Sequence, residues 1–411
     1  MTDLTVSVII VSRERPDALR RCLLGISQLQ YRAFEVVVVA CPAGIAVAEA
    51  SQALPDIKCV AFSEANISAA RNQGLVYAAG EIVAFIDDDA VPEPKWQHHL
   101  VAPAARSDVA AMGGYVRGRN GITFQYQART LDAQGIPQEV DIDPPQAAIL
   151  NPPKRRAIKT EGTNMAFRRD VLVELGGFDP AFRFYLDETD VNMRLARAGH
   201  ATALVPLAQV HHGFAASATR RDDRVPRDLY EIGASCAVFQ RKHIPQKDRA
   251  AHWKAQQVSE RQRALRHMVA GRLERRDVRR LMKGLVAGYA EGLERGLGGA
   301  CLPKHPVQPF RPVVACSRVA HFTAVRGLRG TAALKEAAVS VAGGSIETVL
   351  VLSPTALFHR VSFTAEGVWV QYGGLFGRAD RDQPLFRLTR FKRRSDRERA
   401  RVAHVRGHDA G

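Results

Sequence analysis

Apolar and polar positions along the first ninety residues change period repeatedly, and each change marks an element. VSVIIVS (Val6–Ser12) is a near-continuous β-branched run, the pattern of a strand buried on both faces of a parallel sheet. RPDALRRCLLGISQL then places Leu19, Cys22, Leu23, Ile26 and Leu29 at helical spacing behind Pro16, which predicts an amphipathic helix. FEVVVVA (Phe34–Ala40) predicts a second buried strand and Lys58–Phe62 a third. ISAARNQGLVYAAG reads as a helix stopped by Gly80, and EIVAFID as the next strand. This alternation predicts an open α/β sheet, Rossmann-like and mostly parallel, with flanking helices. Ligands of such sheets bind beyond the carboxyl ends of the strands.

At that end the apolar run Ile82 to Ile86 goes straight into Asp87, Asp88 and Asp89. Three adjacent carboxylates repel one another, and a hard cation would hold them together. A second cluster lies in RFYLDETDVNMRLARAGH, where Asp187, Glu188 and Asp190 open a helix with Val191, Leu195 and Ala198 at helical period. Negative charge at a helix start is also plain capping, and these residues alone leave both readings open. Upstream, EGTNMAFRRDVLVELGGFD supplies a Gly-Thr-Asn loop and a helix ended by Gly176-Gly177. Downstream, VPLAQVHHGFAAS puts His211 and His212 beyond a short apolar strand.

Length and charge add an organisation. The 411 residues suffice for two or three domains. Residues 1–250 carry 29 basic and 29 acidic groups, whereas residues 251–411 carry 29 and 13, so the whole net charge of +16 lies in the last third. A neutral catalytic or binding domain (residues 1–250) followed by a region that meets something anionic is the expected plan. From His252 to Leu297 one or two helices are expected, within a basic amphipathic region over 251–299. Leu265, Met268, Val269, Val278, Leu281, Met282, Leu285, Tyr289 and Leu293 form its stripe, and Arg272, Arg275, Arg276, Arg279, Arg280 and Lys283 its basic face. Such a helix can lie on an anionic membrane surface or pack its stripe on the catalytic domain.

A Gly- and Pro-bearing linker (300–311) precedes a small α/β segment (312–377). There RPVVACS, GTAALKEAAVSVAGG and ETVLVLS read as strand, helix and strand. The basic stretch 378–411 is expected to be a disordered, solvated tail. No stacking aromatics or known module accompany its arginines, so nucleic acid is not an expected partner. The six cysteines show no paired or metal-ligand spacing and read as reduced, mostly buried thiols. The N-terminus MTDLTVSVIIVSRER reads as a first strand rather than a leader, and no apolar run reaches the roughly 20 residues of a membrane span. A cytoplasmic protein is expected.

In combination these stretches resemble the family 2 glycosyltransferases, inverting enzymes with the type A nucleotide-sugar fold, over about residues 4–245. The likeness rests on SVIIVSRERPDALRRCL, NISAARNQG, FIDDDA, TEGTNMAFRRDVLVELGGFD, DETDVNMRLARAG and VHHGFAAS, in that order. The resemblance implies transfer of a sugar from a nucleoside-diphosphate sugar to a hydroxyl of a saccharide or lipid-linked acceptor. It also implies a divalent cation, Mn2+ or Mg2+, to neutralise the leaving diphosphate. By its place in Asp-x-Asp, Asp89 is the direct metal ligand; Asp87 faces the ribose or a metal-bound water, and Asp88 supports them. His212 aligns with the histidine that completes the metal shell, and His211 could exchange with it.

The pattern Glu-Asp-x-Asp falls on Asp187-Glu188-x-Asp190 with the first two types swapped. Glu188 takes the position of the base, Asp187 is second, and Asp190 orients the site or caps the helix. Arg71 and Asn72 fall in the donor-site turn, with Arg71 either on the diphosphate or a surface arginine near Glu64. Ser12, Arg13 and Glu14 take the nucleoside-contacting place, and Gly162, Thr163 and Asn164 the acceptor-side loop. Ala40-Cys41 replaces the Asp that reads the nucleobase, so the base stays open. A Gln-x-x-Arg-Trp motif is absent, which implies non-processive transfer, in surface polysaccharide or glycolipid synthesis. The other class of answer is a catalytically weak nucleotide-sugar-binding or scaffold protein, docked at a membrane through the basic third.

Overall fold

The computed structural model describes residues 4–142, 145–313 and 318–408. The chain begins β1 (Val6–Ser12), α1 (Pro16–Ile26), β2 (Phe34–Ala40), α2 (Pro42–Glu49), β3 (Lys58–Ala61), α3 (Ile67–Tyr77) and β4 (Ile82–Asp87). The expected alternation is therefore present. β3, β2, β1 and β4 lie side by side and parallel, with Val6 opposite both Phe34 and Ile82. Helices cover both faces, which is why these strands are mostly apolar on both faces rather than alternating. Val6, Val8 and Ile10 share a core with Leu19, Cys22 and Ile26 of α1, while Ile9 and Val37 share one with Ala70 and Leu75 of α3. At Gly74 a Cβ would come within 2.5 Å of Ile9 Cγ2, so glycine sets how closely α3 approaches the sheet.

The chain continues through β5 (Ala90–Pro92), α4 (Trp96–Val101), β6 (Val109–Arg117), β7 (Phe124–Tyr126), β8 (Arg129–Leu131), β9 (Pro137–Glu139), β10 (Ala148–Leu150) and β11 (Ala157–Lys159). β12 (Asn164–Arg168), α5 (Arg169–Glu174), α6 (Asp187–Arg197) and β13 (Ala201–His212) follow. The large sheet has the order β10-β13-β6-β12-β4-β1-β2-β3, with β5 on β13 and β7 on β6; β11, β8 and β9 form a small sheet of their own. β12 runs antiparallel between β4 and β6, and β13 is parallel to β6. One edge of the sheet thus collects the carboxyl ends of β1, β4 and β13 and the amino end of β12. Ser12, Asp87, His212 and Asn164 sit there.

The basic region forms two helices, α8 (Gln246–Val269) and α9 (Arg275–Glu294), after α7 (Tyr230–His243). Val278, Leu281 and Leu285 of the predicted stripe are buried with Leu229 and Ala264, whereas Val269 is 84% exposed. The stripe therefore packs on the protein itself, and its basic residues face outward. Glycines let α7 and α9 touch backbone to backbone: a Cβ on Gly288 would lie 1.9 Å from the Tyr230 carbonyl oxygen. Gly288→Ala is accordingly expected to lower stability by about 1–3 kcal/mol through overpacking, read as an earlier thermal unfolding transition. An unchanged transition would show that the helices can separate at little cost.

The last unit contains β14 (Ala320–Arg326), α10 (Gly330–Ala342), β15 (Ile346–Ser353), β16 (Arg360–Phe363), β17 (Trp369–Gly374) and α11 (Phe391–Arg406). Its sheet order is β14-β15-β17-β16. The predicted helix and second strand are present. Most of the strand predicted at RPVVACS, including Cys316, lies outside the described residues, and the strand paired with β15 is Ala320–Arg326.

The expectation of a solvated tail over 378–411 is corrected by α11. Several of its arginines are paired with buried carboxylates. Arg394 and Arg401 pair with the buried Glu398 at 3.2 and 2.9 Å, and Arg406 reaches Glu93 at 2.8 Å. Val402, Ala403 and Val405 are buried beside them. Among the described residues the cysteines are all free, with only Cys301 exposed, and no helix is long and apolar enough to cross a membrane.

Candidate active site

The aspartate run begins at the carboxyl end of β4, and each member has a different partner. Thr163 Oγ1 donates to Asp87 at 2.6 Å. Ser12 Oγ donates to the fully buried Asp88 at 2.7 Å, and Arg15 makes an ion pair with Asp88 and approaches Asp89 at 3.5 Å. Burial, with the charge of Asp89, pushes the Asp88 carboxyl up to about 7 against the pull of Arg15. The Ala215 N–H donates to Asp89 Oδ2 at 2.7 Å. Burial opposes ionisation of Asp89, but His212 and then Arg15 hold its carboxyl down, to about 2.

Asp87, Asp89 and His212 each offer one ligand atom, all within 4.8 Å of one another. His212 Nδ1 lies 2.9 Å from Gln125 Oε1, an atom that only accepts, so Nδ1 carries a proton and Nε2 is the nitrogen turned to the carboxylates. Nε2 lies 3.4 Å from Asp89 Oδ1, which is buried and makes no hydrogen bond among the described residues. With its proton on Nδ1 alone, the imidazole would offer Nε2 as a ligand beside the carboxylate oxygens of Asp87 and Asp89. The residues fit a metal, with Gln125 fixing the imidazole from behind. Which histidine belongs to the group is also decided. His211 bonds Glu93 at 2.7 Å instead, because neighbouring residues of β13 point to opposite faces.

The second cluster sits at the start of α6, entered through Tyr185 and Leu186, both at positive φ of 76° and 67°. Non-glycine residues hold that conformation only when their surroundings impose it. The buried Arg71 makes an ion pair with Asp187, donates to the Gly162 carbonyl at 3.1 Å and lies 3.6 Å from Asp87. It therefore joins the two clusters, and no surface pairing with Glu64 exists. Burial, with the adjacent Glu188 charge, pushes Asp187 up to about 7 against Arg71. At Glu188 burial works the same way, but its ion pair with Lys159 overrides it and holds the carboxyl down to about 2. Lys159 also donates to Thr189 Oγ1 at 2.9 Å.

Three of the expected site residues are committed elsewhere. Asn72 donates to the Phe178 carbonyl at 2.7 Å and accepts from the Phe178 N–H at 2.9 Å, so its amide ties α3 to the segment between α5 and α6 rather than facing a donor. Asn164 is fully buried; it accepts from Trp96 Nε1 and donates to the carbonyls of Tyr115 and Ala208. Asp190 is fully buried among Arg194, Lys242 and His243, each at 2.8 Å, and fastens α6 to α7. Arg13 and Glu14 pair with each other at the exposed mouth of the site, at 3.4 Å. Arg15, Gln125 and Lys159 went unrecognised in the sequence, where nothing marks a partner tens of residues away.

The model of the family described as glycosyltransferase like family 2 matches residues 4–230. The chain is 28% identical over 239 residues to the O-antigen biosynthesis protein RfbC of Myxococcus xanthus, covering 55% of this chain and 18% of that one. It is 32% identical over 121 residues to the glucosyl-dolichyl phosphate glucuronosyltransferase of Haloferax volcanii, covering 28% of this chain and 34% of the relative. The chain thus spans only a minor part of the length of these curated relatives. Among solved structures, GalNAc-T7 with UDP, GalNAc and Mn2+ aligns over 51% of this chain and 44% of its own, at 19% identity and a TM-score of 0.42.

Proposed function

We propose that this chain, which belongs to the glycosyltransferase like family 2, moves a sugar from a nucleoside-diphosphate sugar to a hydroxyl of a saccharide or lipid-linked acceptor. The transfer inverts the anomeric centre and adds sugars without processive extrusion. The observation that carries this reading is the pair of carboxylate clusters bridged by Arg71. One cluster groups ligand atoms fit for a cation, while the carboxylates of the other are paired with Arg71 and Lys159, which is the division of labour that inverting transfer requires.

Asp87, Asp89 and His212 would hold the cation, Mn2+ or Mg2+, which supplies charge neutralisation for the leaving diphosphate. Arg15 and Arg71 keep positive charge beside the same carboxylates, and a guanidinium fork suits phosphate oxygens. Ser12 positions Asp88, and Arg13 and Glu14 stand where a nucleoside would enter. Thr163 and the Gly162 carbonyl hold Asp87 and Arg71 in place. Glu188 takes the proton of the attacking hydroxyl. Its side chain is 18% exposed, against 4% for Asp187, so it is the carboxylate an acceptor can reach. Lys159 fixes its orientation and keeps it ionised.

The name of the Myxococcus relative supports a role in surface polysaccharide or glycolipid synthesis. The exposed arginines of α9 support work at an anionic membrane surface on the cytoplasmic side.

The test is to incubate the protein with UDP-, GDP- and dTDP-sugars, Mn2+ and saccharide or polyprenyl-phosphate acceptors. Acceptor-dependent release of one nucleoside diphosphate is expected, with a product of inverted configuration by NMR. Retained configuration, or no release from any donor, would overturn the reading.

A further inference from the structure

The wall of the metal-binding corner is not built by the family-like region alone. A cavity of about 240 Å³ lies between it and the C-terminal sheet, lined by Asp89 and His212 on one side and by Arg360 and Ser362 of β16 on the other. Arg21 and Arg119 complete the rim. Ser12, Arg71, Asp87 and Asp88, which stand on the nucleotide side, do not line it.

β16 is firmly held in this place. The Val361 N–H donates to the Asn120 carbonyl at 2.8 Å, and Arg21 Nη2 donates to the Phe363 carbonyl at 2.6 Å. Behind it, Arg406 of α11 grips Glu93 through two bonds of 2.8 and 2.9 Å, with its guanidinium 4.4 Å from the Trp369 ring centre. Glu93 also accepts from His211, the neighbour of His212. A buried, bidentate pair of this kind fixes orientation better than a surface contact does.

The charges of the cavity are unbalanced. Arg119 uses Nη2 to hold the carbonyls of Phe214 and Asp222, and Arg21 uses one Nη2, so both guanidinium groups keep donors free. Arg360 is exposed and has no hydrogen-bond or ion-pair partner for its side chain among the described residues. Asp89 is the sole carboxylate in the lining, and it is committed to the cation of the proposed donor site. Three guanidinium groups then face one small space without a counter-charge.

We infer that this cavity is a subsite for a phosphate group on the acceptor, and that Arg360, carried by the C-terminal unit, is one of its ligands. Naming the acceptor, and setting Asp89 aside as a counter-charge, rests on the glycosyl-transfer reading; the excess of three guanidinium groups over one carboxylate in the lining does not. The subsite gives the last ninety residues a part in substrate choice, since an acceptor lacking the phosphate leaves the three arginines unpaired.

The experiment measures binding of glycerol 3-phosphate by calorimetry to the full chain with Mg2+, with and without saturating nucleoside diphosphate. Wild type and Arg360→Ala are compared, with Arg360→Lys as the charge-retaining control. The expected result is a weakening of at least tenfold in Arg360→Ala, a smaller one in Arg360→Lys, and nucleoside diphosphate affinity unchanged in both. Glycerol 3-phosphate affinity equal in wild type and Arg360→Ala would overturn the subsite. So would loss of its binding when nucleotide is present, which would place the phosphate at the donor's own position. If no nucleoside diphosphate binds, the donor reading fails while the comparison without nucleotide still reads the subsite. Phosphatidylcholine vesicles with and without a polyprenyl phosphate separate the sources. Arg360-dependent capture only with polyprenyl phosphate supports a lipid-borne acceptor, and equal capture of both vesicles contradicts an acceptor subsite.

Discussion

Glu188→Gln is expected to lower turnover by about 10²–10⁴-fold at every pH, because an amide of the same shape cannot take the acceptor's proton. Nucleotide affinity should stay near that of wild type, since Glu188 makes its ion pair with Lys159 and none with the metal-binding corner. Asp187→Asn should behave differently. Burial raises the Asp187 carboxyl to about 7, so below that pH it takes up a proton and its ion pair with Arg71 is lost. The wild-type rate is therefore expected to fall as pH drops through about 7. Glu188, held down to about 2, remains ionised over the same range and contributes no such limb. Asp187→Asn should retain measurable turnover and lose the acidic limb. Steady-state rates of both variants between pH 5 and about 9 decide the matter. If Asp187→Asn is dead while Glu188→Gln keeps its rate, the two carboxylates exchange roles.

Asp89→Asn is expected to weaken manganese binding in the presence of nucleotide by about a hundredfold or more, equivalent to about 3 kcal/mol or more. The amide keeps the volume of the side chain and an oxygen to accept from the Ala215 N–H, so the loop over residues 213–215 has reason to stay in place. What disappears is the charge that Oδ1 presents toward His212 Nε2. The direct reading is manganese titration followed by electron paramagnetic resonance, with thermal unfolding as the folding control. Manganese affinity equal to that of wild type would remove Asp89 from the ligand set.

The parts of the fold and site that could be read from the chain are those whose signal is local. A fully apolar strand running into Asp87–Asp89 shows in the sequence because the buried and charged residues are consecutive. The helix that Asp187 and Glu188 open is similarly visible from its period. His212 was distinguishable from His211 only once the pairing of β13 with β5 set their opposite faces.

What stayed hidden depends on partners far along the chain. Asn72, Asn164 and Asp190 occupy motif positions, yet their polar atoms meet backbone carbonyls and side chains of other elements, and a sequence does not print those meetings. Lys159 and Arg15 have the opposite history: unremarkable in sequence, they face the carboxylates of the site. The helix α11 reads as a run of solvated charge because its counter-charges are a lone internal glutamate, Glu398, and Glu93, some three hundred residues earlier. Composition suggests disorder where ion pairing and a few buried apolar contacts provide order.

The central claim is that the aspartate run and His212 gather a cation and the diphosphate of an activated sugar. Calorimetric titration of wild-type protein with UDP, GDP and dTDP, each with and without Mn2+, tests it most directly. The account predicts that one nucleotide binds and that its binding requires the metal. A folded protein that binds none of them, or binds one equally well without a metal, would contradict it.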